Sequence, residues 1–310
     1  MSRTFFPIKV SEQWAYDLYK KAYQSIWTPD EITYFDDKIN YPNLNKDTQH
    51  FIKHVLAFFA SSDALVNDNL AVRFYKEFDS PVIQAFYAIQ IGIEQIHSHT
   101  YADQIEAIIT SNTEKDKIFN SVETMPVIGK MSQHIASFTN SNESISRRLI
   151  GMMCVEGIMF SSSFCAIYYL KKNGKMPGLA MANELIARDE GLHAEMATEL
   201  YKRGYVNKLT DEEIKEIVHK CVELTCEFAC EALPVALIGM SNESMIEYIK
   251  SVADYWVNKL GHAPFYNSRN PFNWMVMISL ENKSNFFERR VSEYSKITKQ
   301  GNEIKIVEDF

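Results

Sequence analysis

The sequence predicts an all-α protein, a helical bundle that carries polar groups in its core. Three observations carry this. Long stretches space apolar residues three and four apart, and few windows alternate with period two, so no substantial sheet is expected. Two stretches, IGIEQIHSHTYADQI from Ile91 and IARDEGLHAEMATE from Ile186, each set a Glu and a His three residues apart within an apolar stripe. Two further stripes carry a lone acid where a bundle core calls for a hydrophobe.

The elements follow in order. Residues 12–26 form a first helix. Trp27-Thr28-Pro29-Asp30-Glu31 reads as a new helix start, with Thr28 as N-cap and Pro29 in the first turn. Asn40–Asn45 is a loop. Asp47 or Thr48 opens a long helix to about Phe78, and Ser80-Pro81 opens the next, to about Thr110. A helix at about 126–139 and a polar loop follow. Ser144 opens a helix through Lys172, which ends at Asn173-Gly174. Pro177 opens a helix through Arg203. Thr210 and Glu213 make a capping box for a helix to about Leu233, where Pro234 breaks it. Helices are also expected at 242–260 and 280–295. Residues 1–294 are read as one helical domain, and 295–310, polar and charged, as a flexible tail.

Composition bounds the function. The chain has 310 residues, 46% of them apolar, which is ample for one large core. Its net charge is −8 with no basic cluster, so nucleic-acid binding is not expected. The N-terminus lacks a signal-peptide pattern, and no apolar run approaches the roughly 20 residues of a membrane span. Five Cys without a Cys-x-x-Cys motif point to core thiols in a reducing, cytoplasmic compartment.

The polar core residues suggest a metal. One stripe runs Ile83, Tyr87, Gln90, Glu94, His97, Tyr101, Ile105, Ile108; another runs Ile186, Glu190, His193, Ala197, Leu200. Burying unpaired charge costs several kcal/mol, roughly, and metal ions would repay it. Asp63 sits in the stripe Ile52, Leu56, Phe59, Val66, Leu70. Glu156 sits in the stripe Leu149, Met153, Phe160, Phe164, Ile167. Asp63 precedes Glu94 by 31 residues and Glu156 precedes Glu190 by 34, so the half-site is written twice. This is the di-metal carboxylate arrangement of ferritin-like bundles. The expected ligands are therefore Asp63, Glu94, His97, Glu156, Glu190 and His193. Four carboxylates neutralise two ferric ions bridged by an oxide, and the oxygen-rich set suits iron or manganese better than zinc or copper. A third pair, Glu216 and His219, lies among Lys215 and Lys220 on a solvated face and is read as a surface feature.

Tyr101 lies one turn beyond His97 on the same face. Phe160, Phe164 and Ile186 are placed to line an apolar pocket around it. A phenol there is either an ordinary core residue or a site that loses an electron and a proton to become a sheltered radical.

With these motifs in place, the chain resembles the small, radical-generating subunit of class I ribonucleotide reductase. The resemblance runs from about Trp27 to Phe310. It rests on HVLAFFASSDALVNDNL around Asp63, IEQIHSHTY, VEGIMFSSSF, ARDEGLHAEMA, and NFFERRVSEY ending at Tyr294. It implies the same six ligands in a di-iron-oxo centre and makes Tyr101 the stable radical site. It implies that Asp189 links His97 to Trp27 in a radical-transfer path. It gives Tyr294 and Glu288 a role at the boundary with a large subunit, and makes the end Ile306–Phe310 the segment that docks there. A homodimer is expected, and the large subunit reduces ribonucleoside diphosphates or triphosphates. The resemblance assigns His99 no role. The competing readings are a related di-metal oxidase, which predicts an open apolar cavity and no relay tyrosine, and a ferritin-type iron store, which predicts a shorter chain and a cage.

Overall fold

Helix boundaries follow local chemistry. Ser80 Oγ accepts from Ile83 N at 3.4 Å and Pro81 opens the first turn of the helix Pro81–Ile108. The computed structural model describes residues 8–69, 73–140, 143–232, 240–272 and 275. The chain divides into Met1–Pro271 and Phe272–Phe310. In the second unit only Phe272 and Met275 are among the described residues. The expected helix at 280–295, Glu288, Tyr294 and the tail lie outside them.

In the first unit the helices are α1 (Gln13–Gln24), α2 (Phe35–Asn40), α3 (Lys46–Asn69), α4 (Tyr75–Glu77), α5 (Pro81–Ile108), α6 (Asn112–Phe119), α7 (Ser121–Thr124), α8 (Pro126–Asn140), α9 (Ile145–Cys154), α10 (Ser161–Lys172), α11 (Pro177–Lys202), α12 (Asp211–Ala232) and α13 (Asn242–Leu260). No strand occurs among the described residues. The fold is a ferritin-like helical bundle. α3 packs on α5, α5 also meets α1 and α11, and α11 packs on α9 and α10. Ile52, Leu56, Phe59, Ile83, Phe86, Leu149, Met153 and Phe160 are buried between them. Each removes roughly 1.5–3 kcal/mol worth of apolar surface from water.

The structure departs from the sequence expectations at three places. Thr28 and Glu31 do form a capping box, but it closes only the short turn Pro29–Glu31, because Ile32 is extended. The long helix expected from 47 to about Phe78 is described as α3 up to Asn69 and again as the helical turn Tyr75–Glu77. Two short helices, α6 and α7, occupy a stretch too short and polar to show a periodic stripe. The expected helix 144–172 is interrupted by a π-turn, Val155–Met159, where Phe160 N bonds Val155 O at 3.3 Å. Such a widened turn rotates side chains out of α register and recurs at functional sites.

The segment Ile145–Lys172 is long and apolar enough to cross a membrane by length and composition. However, 94% of its most apolar window is buried inside the molecule, as in a core helix.

Candidate metal centre

Four segments bring six side chains together. α3 supplies Asp63, and α5 supplies Glu94 and His97 one turn apart. The π-turn supplies Glu156, and α11 supplies Glu190 and His193 one turn apart. All six are buried, none more than 4% exposed. Their donor atoms fall into two groups, each within 4.8 Å. One holds Asp63, Glu94, His97 and Glu190; the other holds Glu94, Glu156, Glu190 and His193. Glu94 and Glu190 belong to both. Each group therefore has its own acid and its own imidazole and shares Glu94 and Glu190 with the other, so the six side chains could hold two metal ions.

The imidazoles point the same way. His97 Nδ1 lies 3.3 Å from Glu94, 3.2 Å from Glu190 and 3.8 Å from Asp63. His193 Nδ1 lies 3.0 Å from Glu94 and 3.4 Å from Glu190. Yet both oxygens of Asp63, both of Glu94, Glu190 Oε1 and His97 Nδ1 make no hydrogen bond. Buried polar atoms without partners are rare in folded proteins, and here they converge on a common space. Cations fit that arrangement; further hydrogen bonds do not.

Electrostatics agree. Burial pushes the Asp63 and Glu156 carboxyls well above their ordinary range, and neighbouring carboxylates add to it. Burial also opposes charge on Glu94, but His193 and His97 outweigh it and hold it down to about 2. Burial disfavours charge on the imidazoles too. The carboxylates around His97 and His193 overcome it and raise both. A buried cluster of four carboxyl groups and two imidazoles could hold a di-metal centre, whose cations would displace the protons these shifts favour.

Comparison with known proteins places this geometry. The family model for the ribonucleotide reductase small chain matches residues 2–271. The chain belongs to the ribonucleotide reductase small-chain family. The ribonucleoside-diphosphate reductase small chain of Nicotiana tabacum is 46% identical, over 98% of this chain and 94% of its own. That of Variola virus is 43% identical, over 98% and 96%. Among solved structures, the Rnr4 homodimer of Saccharomyces cerevisiae is 30% identical, covering 94% of this chain and 89% of its own, with a TM-score of 0.78. The dimanganese(II)-NrdF of Streptococcus sanguinis, 18% identical over 87% of this chain and 96% of its own, shares the fold with a TM-score of 0.77. This small chain is thus a subunit of an oxidoreductase that works with a large subunit.

In the small chain, Tyr101 is 1% exposed and its ring stacks on Phe59 at 5.1 Å. Phe160 and Phe164 pack on Phe59 at 5.6 and 5.3 Å. Ile186 is buried on α11. The Tyr101 hydroxyl makes no hydrogen bond of normal geometry, although Asp63 lies within reach. Burial, reinforced by Asp63, Glu190 and Glu94, drives its acidity far down, so the phenol keeps its proton.

The Trp27 indole donates to Asp189 Oδ2 at 2.9 Å, and the same oxygen lies 3.2 Å from His97 Nε2. The family resemblance implied this link but not what holds the carboxylate. Arg188 donates twice to Asp189 Oδ1, at 2.9 and 2.7 Å, and once to Ser25 O at 2.7 Å. Sequence reasoning overlooked Gln90, whose amide donates to Glu156 Oε1 at 2.8 Å, and Phe59 as the ring against Tyr101. A polar residue four before Glu94 in an apolar stripe was the available signal for Gln90. The third Glu-x-x-His pair stays on the surface. Glu216 meets Arg147 at 3.1 Å and His219 meets the Tyr266 hydroxyl at 3.1 Å.

Proposed function

We propose that this small chain holds a di-metal centre, uses it with O2 to oxidise Tyr101 to a stable radical, and passes the radical to the large subunit for the reduction of ribonucleotides to deoxyribonucleotides. The observation that carries this is the pair of donor groups sharing Glu94 and Glu190, with a buried phenol against Asp63.

Asp63, Glu94, His97, Glu156, Glu190 and His193 hold the ions. The assignment is two iron ions; manganese is accepted by the same oxygen-rich set. When bound, the metal pair supplies the oxidising power drawn from O2. The chain's own residues do the rest. Phe59, Phe160 and Phe164 exclude water and reductants from the Tyr101 ring. Asp63 is the carboxylate within reach of the phenolic proton. Asp189 fixes the tautomer of His97 and joins it to Trp27, a hydrogen-bonded path on which an electron and a proton move together.

From Trp27 the path continues to Tyr294, with Glu288 beside that boundary. The end Ile306–Phe310 docks on the large subunit as an apolar and acidic peptide. The chain acts as a homodimer in the cytoplasm, where its thiols stay reduced. Electron paramagnetic resonance after Fe(II) loading and O2 exposure tests the reading, run beside Tyr101→Phe. A tyrosyl signal in the parent and none in the variant is expected. Two bound irons with no signal in the parent would overturn the radical assignment. Deleting the last seven residues should leave the radical and abolish turnover.

A further inference from the structure

The π-turn that carries Glu156 is gripped from a helix that contributes none of the six clustered side chains. α13 packs on Val155–Met159. From α13 the Trp256 indole, 8% exposed, donates its N–H to Gly157 O at 3.0 Å. The approach depends on the bare glycine. A Cβ at Gly157 would lie 2.5 Å from Trp256 Nε1 and 2.7 Å from its Cε2, so the ring would have to move. α13 is itself anchored. Ser241 Oγ accepts from Ser244 N at 3.2 Å at its start. Asp254 accepts from Tyr266 N and Ser268 N, both at 2.9 Å, nearer its end.

We propose that Trp256 is a positioning residue for Glu156: its indole N–H takes the Gly157 carbonyl and holds the turn in the widened register that brings Glu156 to Glu94, Glu190 and His193. The inference rests on the di-metal reading of that cluster. A side-chain donor set against a helix carbonyl competes with the i→i+4 ladder, and such an insertion is an identifiable cause of helix distortion. Here the widened bond, Phe160 N to Val155 O at 3.3 Å, spans the residue that Trp256 holds. Without the widening, the facing of Glu156 relative to α10 would change by about 100°, one residue's share of a helical turn.

Glu156 is thus fixed at two points. Gln90 on α5 donates to its Oε1 at 2.8 Å and aims the carboxylate. Trp256 fixes the backbone one residue further on. The other donor group, Asp63, Glu94, His97 and Glu190, comes from α3, α5 and α11, none of which carries the Trp256–Gly157 contact. Loss of that contact should therefore weaken one of the two ions and spare the other.

Titration of the full-length chain with Mn(II), followed by the electron paramagnetic resonance of the free ion, tests this without turnover. The parent should take up two ions. Trp256→Phe keeps a ring and removes the N–H. It should bind one ion as the parent does and the second about 10–100-fold more weakly. Gly157→Ala parts the same contact from the other side and should give the same split. Ile249→Ala, wholly buried two turns earlier on α13, is the control for a merely structural effect: it should melt lower than the parent and still bind both ions. Hydrogen exchange in the metal-free chain should quicken at residues 155–162 in Trp256→Phe. Two ions bound with parent affinity by both Trp256→Phe and Gly157→Ala would overturn the proposal and leave the di-metal reading standing. An equal loss of the second ion in Ile249→Ala would also overturn it. A parent that binds no Mn(II) would overturn the di-metal reading, and this inference with it.

Discussion

Trp27 and Asp189, 162 residues apart in the chain, are joined by a buried 2.9 Å hydrogen bond. The carboxylate that receives it also lies 3.2 Å from His97 and is gripped on its other oxygen by Arg188. Against burial, Arg188 and His97 hold it below the usual carboxylate range, so Asp189 is an anion that fixes both rings. In Asp189→Asn the indole keeps an acceptor but His97 loses its charged partner. Turnover with the large subunit should fall about 10–100-fold, while metal content by atomic absorption stays near that of the parent. Unchanged turnover would remove Asp189 from the path.

Metal uptake should release protons. In the metal-free chain Asp63 and Glu156 are raised from 3.8 and 4.5, and His97 and His193 are raised from 6.5. All four hold protons that ligation must displace, so apparent affinity falls as pH falls. Calorimetry in buffers of different ionisation enthalpy measures the released protons directly. The sign for folding is the reverse. A group raised in the folded state binds more protons there than in the unfolded chain, so its contribution is full below the ordinary value and fades as pH rises through the raised one. The metal-free chain should therefore melt higher at about pH 6 than at about pH 8, and the difference should shrink when metal is bound.

Tyr101→Phe should stabilise the metal-free chain. The substitution removes a buried hydroxyl that makes no normal hydrogen bond and keeps the ring stacked on Phe59. Leaving such a group unsatisfied costs about 1–3 kcal/mol. A melting temperature higher by about 2 °C or more is expected. A clear decrease would mean that the hydroxyl has a strong partner.

Gly178→Ala should destabilise. The start of α11 is held by Asp37, which accepts from Gly178 N at 3.0 Å and Leu179 N at 2.6 Å. A Cβ at Gly178 would lie 2.4 Å from Thr33 O and 2.9 Å from Asp37 Oδ2, so the cap must shift. Loss of about 2 kcal/mol is expected. Gly191→Ala on the same helix meets nothing within 4 Å and should be neutral or stabilising by about 0.5–1 kcal/mol. Thermal melts of the two variants should move apart.

The sequence by itself determined most of the described helices and picked out the six side chains that the fold brings together. Their evidence is local: caps such as Ser80-Pro81 and Thr210 with Glu213, and acids or imidazoles breaking stripes of period near 3.6. A charged residue in a buried stripe is conspicuous before any fold is known, so Asp63 and Glu156 stood out as readily as the two Glu-x-x-His pairs. What only the tertiary structure decided is contact between distant segments. Nothing local in VEGIM announces a π-turn, because an α-helix and a π-turn share the same apolar pattern and packing chooses between them. Gln90 was visible as a polar residue in a stripe, but not as the donor to Glu156. Glu94 and Glu190 became the shared pair, and Arg188 the grip on Asp189, only once their helices were packed. Periodicity fixes which face a side chain is on; what meets that face is set by the burial of all the helices at once.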